Sequence, residues 1–293
     1  MRRGHARRGP RVVAVGGGHG LAATLRAVRR YAGEITAVVS VADDGGSSGR
    51  LRRQLDIMPP GDLRKCLVAL SEDGSALAAA FEQRFEAEEV VGHSLGNLVI
   101  AALMSACGDP QQGLDEAARL LGAVGRVVPA ALEPVVLKAE ADEGEIEGQT
   151  EVMRTAHIRR VSLVPTDPPA SPVALAALGR ADQVVVGPGS LFTSVLAAVA
   201  VPSLAAAIRS SPGRRVYVAN LGPEGKETAG FDVAAHVAAL AAHGVEVDVV
   251  LADPAGIALG ALDVEVVEVP LAKANGRAHD PARLAAALGR LVG

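Results

Sequence analysis

Aromatic residues are scarce in this chain. Its 293 residues include no tryptophan, two tyrosines and four phenylalanines. Proteins that bind nucleic acids by base stacking need aromatic side chains, and the net charge of −4 provides no basic surface for a phosphate backbone. The composition therefore argues against nucleic-acid binding.

Cysteine is scarce as well. Cys66 and Cys107 are too far apart in sequence for a zinc pair and too few for a disulfide scaffold. Each lies in an apolar helical pattern, which is typical of a reduced core residue. Neither a zinc site nor a disulfide is expected.

Long apolar runs are also missing. No uncharged stretch approaches the roughly 18 residues that span a membrane, so no membrane insertion is expected. Five arginines lie between residues 2 and 11, but the apolar run that follows, residues 12–15, is shorter than the core of a signal peptide. We therefore predict a disordered basic tail at residues 1–10 and a cytoplasmic protein.

Short β-branched runs alternate with Ala- and Leu-rich amphipathic stretches along the whole chain. Candidate strands are residues 12–15, 35–41, 135–139, 161–164, 184–186, 216–219, 247–251 and 264–269. Candidate helices are residues 21–31, 62–70, 76–85, 94–106, 114–121, 173–178, 191–199, 233–243 and 281–288. This alternation predicts βαβ units and a parallel sheet covered on both faces. Because no change in composition marks a boundary, residues 11–293 are predicted to form a single α/β domain.

Two irregular segments interrupt this pattern. Residues 42–61 are rich in Gly, Ser, Asp, Arg and Pro, and a loop of about 20 residues inside a compact domain is usually functional. Residues 140–154 are rich in Glu and Gly. They are predicted to form a variable excursion, such as a solvated hairpin.

The first candidate site is a glycine cluster between a strand and a helix. Glycines let backbone N–H groups approach an anion at a helix amino terminus, where the helix dipole adds to the attraction. A dinucleotide fingerprint would need glycine at position 21, which is leucine. The cluster indicates a phosphate or diphosphate site of another kind, and the alternative is a tight structural turn. Its members are Gly16, Gly17, Gly18, His19 and Gly20.

The second candidate site follows the second predicted strand. Asp43 and Asp44 stand at the carboxyl end of that strand, which lies beside the first glycine loop in a doubly wound sheet. Such carboxylates can accept hydrogen bonds from hydroxyl groups, hold a divalent cation or act as a base; the alternative is an Asp-Gly turn. Further on, Asp62 is a natural N-cap that can also face a ligand. The loop continues with residues that favour a functional role, namely Gly45, Ser47, Ser48 and Arg50.

Residues 92–97 fit the G-x-S-x-G pattern of a hydrolase nucleophile elbow, and Asp248 and His279 follow in the right order for a triad. An elbow needs a buried strand directly before the serine, whereas residues 86–91 are acidic and too short. Ser94 is therefore predicted to cap a helix. His93 precedes this cap and Asn97 lies in the first turn.

Two further strand ends carry similar chemistry. Asn220 begins a glycine-rich loop after the strand at 216–219. Several such loops at one edge of a sheet predict a phosphorylated, nucleotide-like ligand. The other loop follows the strand at 184–186 and supplies a second helix start able to bind an anion, with Gly187, Pro188, Gly189, Ser190 and Thr193.

These segments together resemble the CofD-like protein family and, within it, the YvcK branch of gluconeogenesis factors. His19 departs from the family because threonine is usual in the glycine loop, and residues 221–228 replace a longer segment rich in Met, Thr and Gln-Pro. The resemblance covers residues 11–243, with a weaker similarity at 278–280. It rests on VVAVGGGHG, VVSVADDGGSSGRLRRQL, PPGDLRKCLVAL, GHSLGN, VVVGPGSLFTS and FDVAAHVAALAAHG.

The resemblance implies a Rossmann-like three-layer α/β/α sandwich with a mostly parallel sheet. The YvcK branch is similar to cytoplasmic regulators that bind UDP-sugars such as UDP-N-acetylglucosamine and support cell shape, peptidoglycan synthesis and gluconeogenic growth. CofD itself is a Mg²⁺-dependent 2-phospho-L-lactate transferase, which moves a phospholactyl group from a guanosine diphosphate conjugate to a deazaflavin. So few aromatic residues leave little with which to stack a deazaflavin.

We therefore expect a nucleotide-sugar-binding regulator with no assigned catalytic residue, no assigned metal ligand and no required cofactor. The alternative is a Mg²⁺-dependent transferase that would use Asp43, Asp44 and Asp62, and a serine hydrolase is a more distant alternative. A homodimer is compatible with these expectations, and the sequence does not identify a regulatory protein partner. The expected ligand-binding residues are Gly16, Gly17, Gly18, His19, Gly20, Asp43, Asp44, Gly45, Ser47, Ser48, Arg50, Asp62, His93, Ser94, Asn97, Gly187, Pro188, Gly189, Ser190, Thr193 and Asn220.

Overall fold

The computed structural model describes residues 9–86 and 90–292 of the chain. The basic tail predicted for residues 1–10 lies outside the described residues except for Gly9 and Pro10. Within the described ranges, no single helix has both the length and the apolar content to cross a membrane. Two consecutive helical segments, Leu191–Val199 and Pro202–Ser210, are long and apolar enough only when they are taken together, and a bend of 79° separates them.

A seven-stranded parallel sheet forms the centre of the protein, in the order β10-β9-β8-β7-β1-β2-β3. Its central strands are buried along nearly their whole length, as strands covered on both faces should be. The strands of the described chain are β1 Arg11–Gly16, β2 Glu34–Val39, β3 Arg126–Pro129, β4 Val136–Ala141, β5 Gly144–Glu147, β6 Ile158–Val164, β7 Gln183–Val186, β8 Arg214–Val218, β9 Val249–Ala252 and β10 Glu265–Glu268.

Helices cover both faces of this sheet, which confirms the predicted three-layer α/β/α sandwich. A π-helix, Leu191–Leu196, directly precedes α9. The α-helices are α1 Gly18–Val28, α2 Gly46–Leu55, α3 Pro60–Leu70, α4 Ala76–Glu82, α5 Leu95–Cys107, α6 Pro110–Leu121, α7 Gln149–Arg154, α8 Pro172–Leu178, α9 Ala197–Val199, α10 Pro202–Ser210, α11 Val233–Ala242 and α12 Pro281–Arg290.

The order of the strands reverses between β1 and β7. From β1 the chain adds β2 and β3 on one side, and it then returns to add β7, β8, β9 and β10 on the other side. The connections after β1 and β7 therefore leave in opposite directions and open a crevice at the carboxyl ends of these strands. In doubly wound sheets this reversal point is where ligands bind.

The predicted strands at 135–139 and 161–164 are not part of this sheet. They correspond to β4 and β6, which form a separate antiparallel sheet with β5. Their residues alternate between buried and exposed, because only one face of this small sheet is covered. The acidic segment predicted as an excursion at 140–154 contains the end of β4, the whole of β5 and helix α7.

Four helices differ from the sequence-based expectation, because α2, α7 and α10 were not predicted and α1 begins earlier than expected. Residues 42–61 are not one continuous loop, since they contain α2; this helix presents few apolar side chains, and its periodicity is therefore hard to detect. Helix α1 begins at Gly18, so most of the predicted glycine loop is the first helical turn itself. The short strand β3 was also not predicted, because it has only four residues and ends in proline.

A buried amide ties the central sheet to two helices. Gln183 on β7 is fully buried, its Nε2 donates to the Leu288 carbonyl over 2.9 Å, and its Oε1 accepts from the Tyr31 hydroxyl over 2.5 Å. Burial raises the pKa of Tyr31, which therefore stays a neutral donor. This arrangement joins β7 to the end of α1 and to α12.

We predict that Gln183→Ala lowers the free energy of unfolding by about 2 to 4 kcal/mol, because it leaves two buried polar groups without partners. Urea denaturation would measure this loss. Gln54→Ala, an exposed change on α2, is the matched control and should cost less than about 0.5 kcal/mol. Equal losses in the two variants would contradict this role of Gln183.

Candidate functional site

The loops that follow β1 and β7 pack against each other at the reversal point. A Cβ atom on Gly20 would lie 2.1 Å from the Pro188 carbonyl oxygen, so only glycine allows this approach. The hydroxyl of Thr24 on α1 donates to the Gly187 carbonyl over 2.8 Å and holds the two loops together. This contact forms the floor of the candidate site.

A cavity of about 540 Å³, here called the acidic cavity, opens beside this contact. Four segments line it: the start of α1, the residues around α2 and α3, helix α7, and the loops after β7 and β8. Four of its lining side chains are carboxylates, against one lysine and one histidine. The lining residues are Gly17, Gly18, His19, Gly20, Asp43, Asp62, Lys65, Gln149, Met153, Gly189, Ser190, Thr193, Ser194, Glu224, Gly225 and Glu227.

The amino terminus of α1 is partly capped by the protein's own carboxylate. The Gly18 N–H donates to Asp62 Oδ2 over 2.8 Å, while Asp62 Oδ1 accepts from Lys65 Nζ over 2.9 Å. Asp62 is thus not the N-cap of its own helix α3, where Pro59 holds that position. No described residue accepts a hydrogen bond from the amides of His19 and Gly20, which are the next donors in the first turn of α1.

The carboxylate of Asp43 faces the same cavity. Its Oδ1 accepts from the Gly45 N–H over 3.0 Å. Burial and then the negative charge of Asp62 raise the pKa of Asp43, while the Gly45 amide, the Ser48 hydroxyl and Lys65 lower it. The two aspartates therefore act on each other electrostatically within one site.

Glu227 is the most deeply buried acid of the cavity, with a relative exposure of 1%. Neither carboxylate oxygen has a partner with hydrogen-bond geometry in the described part of the chain. Burial raises the pKa of Glu227 to about 7, although the Thr193 hydroxyl and the amides of Phe192 and Thr193 oppose this shift. The amino terminus of the π-helix therefore faces a carboxylate of the protein itself.

Glu224 lies on the same loop after β8. Burial raises its pKa, the Ser190 hydroxyl opposes this shift, and its Oε2 is buried without a partner among the described residues. With Glu227 it forms a pair of acceptors on one wall of the acidic cavity.

A second cavity, of about 400 Å³, continues from the first and is here called the outer cavity. It shares His19, Gly20, Gly189 and Glu224 with the acidic cavity. Its other lining residues come from α1, the loops after β7 and β8, and the segment before α12, namely Ala23, Pro188, Asn220, Leu221, Gly222, Pro223, Gly276, Arg277, Ala278 and His279.

Many of the expected ligand-binding residues line these two cavities. Asn220 holds the loop after β7, because its side chain exchanges hydrogen bonds with the Gly189 N–H and carbonyl over 2.9 and 3.1 Å. Gly16 and Gly187 end or follow the strands and lie outside both linings. Those that line a cavity are Gly17, Gly18, His19, Gly20, Asp43, Asp62, Pro188, Gly189, Ser190, Thr193 and Asn220.

Four expected residues near α2 make internal contacts instead. Asp44 Oδ1 accepts from the amide and hydroxyl of Thr150, which fixes the start of α7. Arg50 donates to the Val91 carbonyl, and Ser48 interacts with the carboxylate of Asp43. The fourth, Gly45, supplies the amide that Asp43 accepts.

Another group of expected residues forms a buried polar cluster that lines neither cavity. The Ser47 hydroxyl lies 2.9 Å from His93 Nδ1 and accepts from Asn97 Nδ2 over 2.9 Å. Arg64 Nε donates to Asn97 Oδ1 over 3.0 Å. These contacts join α2, α3 and α5, so their evident role is to hold the loop that carries Asp43.

The hydrolase alternative fails on geometry. Ser94 is fully buried as the N-cap of α5, and its side chain accepts from the Asn97 amide. Asp248 precedes β9 at the amino-terminal edge of the sheet, where it forms an ion pair with Arg215. His279 lines the outer cavity. These three positions do not form a triad; residues 87–89, part of the acidic stretch before Ser94, lie outside the described chain.

The side chains present do not form a complete site for Mg²⁺. Asp43 and Asp62 face the acidic cavity, but both oxygens of Asp62 already accept hydrogen bonds from Gly18 and Lys65. Within residues 9–86 and 90–292, no group of three or more His, Cys, Asp or Glu side chains is arranged to hold a metal ion.

Sequence reasoning missed several lining residues. Gln149 and Met153 lie on α7, inside the segment expected to be a solvated excursion. Lys65 lies three residues after Asp62, and Ser194 directly follows Thr193, so both belong to the same motifs as these expected residues. Glu224, Gly225 and Glu227 follow Asn220 in a loop whose glycine content was the only available signal.

Comparison with known proteins finds relatives over nearly the whole chain. The model of the family described as 2-phospho-L-lactate transferase CofD matches residues 12–284. A relative from Mycobacterium tuberculosis is 45% identical over 305 residues, which cover 94% of this chain and 89% of its own length. The gluconeogenesis factor of Halalkalibacterium halodurans is 43% identical over 235 residues, 79% of this chain and 73% of its own.

A solved structure extends this similarity to the fold. The crystal structure of a member of the UPF0052 family from Bacillus halodurans aligns with a TM-score of 0.91 and 36% sequence identity. The alignment covers 96% of this chain and 99% of that chain. The three-layer architecture is therefore shared by both proteins.

We predict that Glu227→Gln reduces the pH dependence of stability. The folded protein holds a proton on Glu227 up to a pH of about 7, whereas the ordinary pKa is 4.5, so the free energy of unfolding falls as the pH rises through this interval. The contribution of one such group is on the order of 3 kcal/mol. Urea denaturation at a pH of about 5 and again at about 7.5 should show a smaller loss in the variant.

The control for this prediction is Glu143→Gln, which changes an exposed glutamate on the β4–β5 hairpin. It should keep the pH dependence of the parent protein. If Glu227→Gln also keeps it, Glu227 does not hold the proton that we assign to it.

Proposed function

The chain belongs to the CofD family and, within it, to the branch of gluconeogenesis factors, and we propose that it is a regulator that binds a nucleotide sugar such as UDP-N-acetylglucosamine. In this proposal the ligand occupies the cavities at the reversal point of the sheet. The proposal includes a cytoplasmic location and a role in cell shape, peptidoglycan synthesis and gluconeogenic growth, because the resemblance to the YvcK branch implies them.

The observation that carries the proposal is the position of the cavities. They lie at the carboxyl ends of β1 and β7, where the strand order reverses, and helix α1 begins there with its amides directed to the site. The open N–H groups of His19 and Gly20 suit the oxygens of a diphosphate, and the positive end of the helix dipole adds to the attraction. This combination supports a phosphorylated ligand.

The carboxylates of the acidic cavity favour a ligand that carries many hydrogen-bond donors in addition to its phosphate groups. Carboxylates accept hydrogen bonds from hydroxyl and amide groups, and such charge-assisted bonds are stronger than bonds between neutral groups. A sugar linked to a diphosphate offers both properties in one molecule. A free inorganic anion would find four carboxylates in the acidic cavity and little to offset them.

The transferase remains the second candidate, because Asp43 and Asp62 face the acidic cavity together. Two observations favour the regulator over it. No aromatic side chain of the described residues lines either cavity, so a planar deazaflavin acceptor would have nothing to stack against. The hydrogen bonds that Asp62 accepts from Gly18 and Lys65 also leave fewer of its lone pairs for a metal ion.

We predict that Gly18→Val abolishes binding of UDP-N-acetylglucosamine in isothermal titration calorimetry. Gly18 lines the cavity in a left-handed conformation with φ of 61°, so a branched side chain would fill the space that the ligand needs. The matched control is Gly74→Val, at an exposed turn with φ of 81° and no atom within 4 Å of the added Cβ. Both variants carry backbone strain, but only Gly18→Val should lose binding.

A cooperative thermal transition in each variant would establish that it folds. Unchanged affinity in folded Gly18→Val would exclude this loop from the binding site. Loss of binding in both variants would mean that strain alone, and not the cavity, is responsible.

We further predict that the affinity for UDP-N-acetylglucosamine changes less than about tenfold between excess Mg²⁺ and excess EDTA, which corresponds to 1.4 kcal/mol. Backbone amides and helix termini hold the diphosphate of a regulator, so the metal is not essential. Asp43→Asn should change the affinity to the same extent under both conditions. If EDTA abolishes binding and Asp43→Asn removes this metal dependence, the transferase becomes the better proposal.

A further inference from the structure

The two cavities differ in the charge of the side chains that line them. In the acidic cavity, Asp43, Asp62, Glu224 and Glu227 face a single lysine, Lys65. The outer cavity shares His19 and Glu224 with its neighbour and adds Arg277 and His279, so it contains one carboxylate where the acidic cavity contains four. An elongated ligand with chemically different ends would therefore find a different environment at each end.

Each cavity contains a buried polar group without a partner. Both carboxylate oxygens of Glu227 lack a hydrogen-bond donor, although the residue is almost completely buried. In the outer cavity, His279 is 7% exposed and its Nε2 is also without a partner in the described part of the chain. Buried polar groups are normally hydrogen-bonded, so these atoms are those most suited to meet a ligand.

Among the described residues, the backbone N–H groups at the start of α1 that are available to an anion lie at the junction between the two cavities. His19 and Gly20 line both cavities, and their amides have no acceptor in the described chain. At this junction Glu224 is the one carboxylate that lines both cavities, whereas Asp43, Asp62 and Glu227 line only the acidic cavity. A diphosphate deep in the acidic cavity would also meet Asp43, Asp62 and Glu227, and close negative groups at low local dielectric are unfavourable.

From this arrangement we infer the orientation of the ligand. The sugar occupies the acidic cavity and donates hydrogen bonds to Glu227 and Glu224. The diphosphate lies at the junction on the amides of His19 and Gly20, and the nucleoside occupies the outer cavity beside His279 and Arg277. This inference rests on the proposed function, to which it adds the residues that distinguish the two ends of the ligand.

The chemistry of each end fits its cavity. Sugar hydroxyls and the amide N–H of an N-acetyl group are donors, and Glu227 and Glu224 supply buried oxygens that have no partner with hydrogen-bond geometry among the described residues. Burial lowers the pKa of His279, so its ring is neutral and Nε2 can take part in a hydrogen bond with a ribose hydroxyl or a base. Arg277 is exposed at the rim of the outer cavity and adds positive charge near the diphosphate.

Calorimetric titration with UDP-N-acetylglucosamine and with UDP tests the sugar end. Glu227→Gln replaces one acceptor oxygen by a donor group and keeps the shape of the side chain. At a pH of about 8, above the pKa of Glu227, the ratio of the two affinities should fall by about tenfold in this variant, as expected for one lost charge-assisted hydrogen bond. The affinity for UDP itself should change less than about threefold, because UDP carries no sugar.

The same titrations test the nucleoside end. His279→Ala should weaken the binding of UDP and of UDP-N-acetylglucosamine by the same factor, about fivefold to tenfold, because both ligands carry the nucleoside. It should leave the binding of N-acetylglucosamine 1-phosphate unchanged, because that probe lacks the nucleoside. Glu143→Gln on the exposed hairpin is the control for charge and should alter none of the three affinities.

The outcomes separate the orientation from the proposed function. If the parent protein binds neither UDP nor UDP-N-acetylglucosamine, the proposed function is wrong and the orientation with it. If it binds both, the orientation alone is overturned by either of two results. One is that Glu227→Gln weakens the binding of both ligands equally, and the other is that His279→Ala weakens only the binding of the sugar nucleotide. Should Glu227→Gln not show a cooperative thermal transition, Glu224→Gln carries the same test, with the same expected fall in the ratio.

Discussion

Gly20 and the Pro188 carbonyl approach so closely that no side chain fits between them, and the arrangement of the site depends on this contact. It brings the loop after β1 against the loop after β7 at the point where the strand order reverses. The start of α1 is thereby placed between two cavities rather than at the edge of one. A larger residue at position 20 would separate the loops and remove the junction where the open amides of α1 lie.

The acids of the site lie at the starts of two helices. The first amide of α1 is satisfied by Asp62, and the start of the π-helix faces Glu227. Negative groups are favourable at such positions because of the helix dipole. The same carboxylates limit where a phosphate can be placed, because Asp43, Asp62 and Glu227 line only the acidic cavity, whereas the amides of His19 and Gly20 lie where the two cavities meet. The charge distribution of the protein therefore favours one position for the diphosphate.

The layered fold could be predicted from the sequence because buried parallel strands form short, nearly continuous apolar runs. Six of the predicted strands, such as 184–186, correspond to strands of the main sheet. Helix α2 could not be predicted in this way, since its contacts are polar and tertiary: Ser47 bonds to His93 and Asn97 rather than to a hydrophobic core. The cluster of expected ligand residues around Asn97 proved to be internal for the same reason. A sequence reveals that polar groups are present, but not whether they meet a ligand or one another.

Glycine-rich strand ends indicated the edge of the sheet where the two cavities lie, whereas the role of the acids in the loop after β8 could be recognised only from the structure. Glu227 becomes notable only when its burial and its missing partner are known. A crystal structure of the protein with UDP-N-acetylglucosamine would test the central claim most directly. We expect the diphosphate oxygens within hydrogen-bond distance of the His19 and Gly20 amides, between the two cavities. A nucleotide sugar bound away from the carboxyl ends of β1 and β7 would contradict the claim.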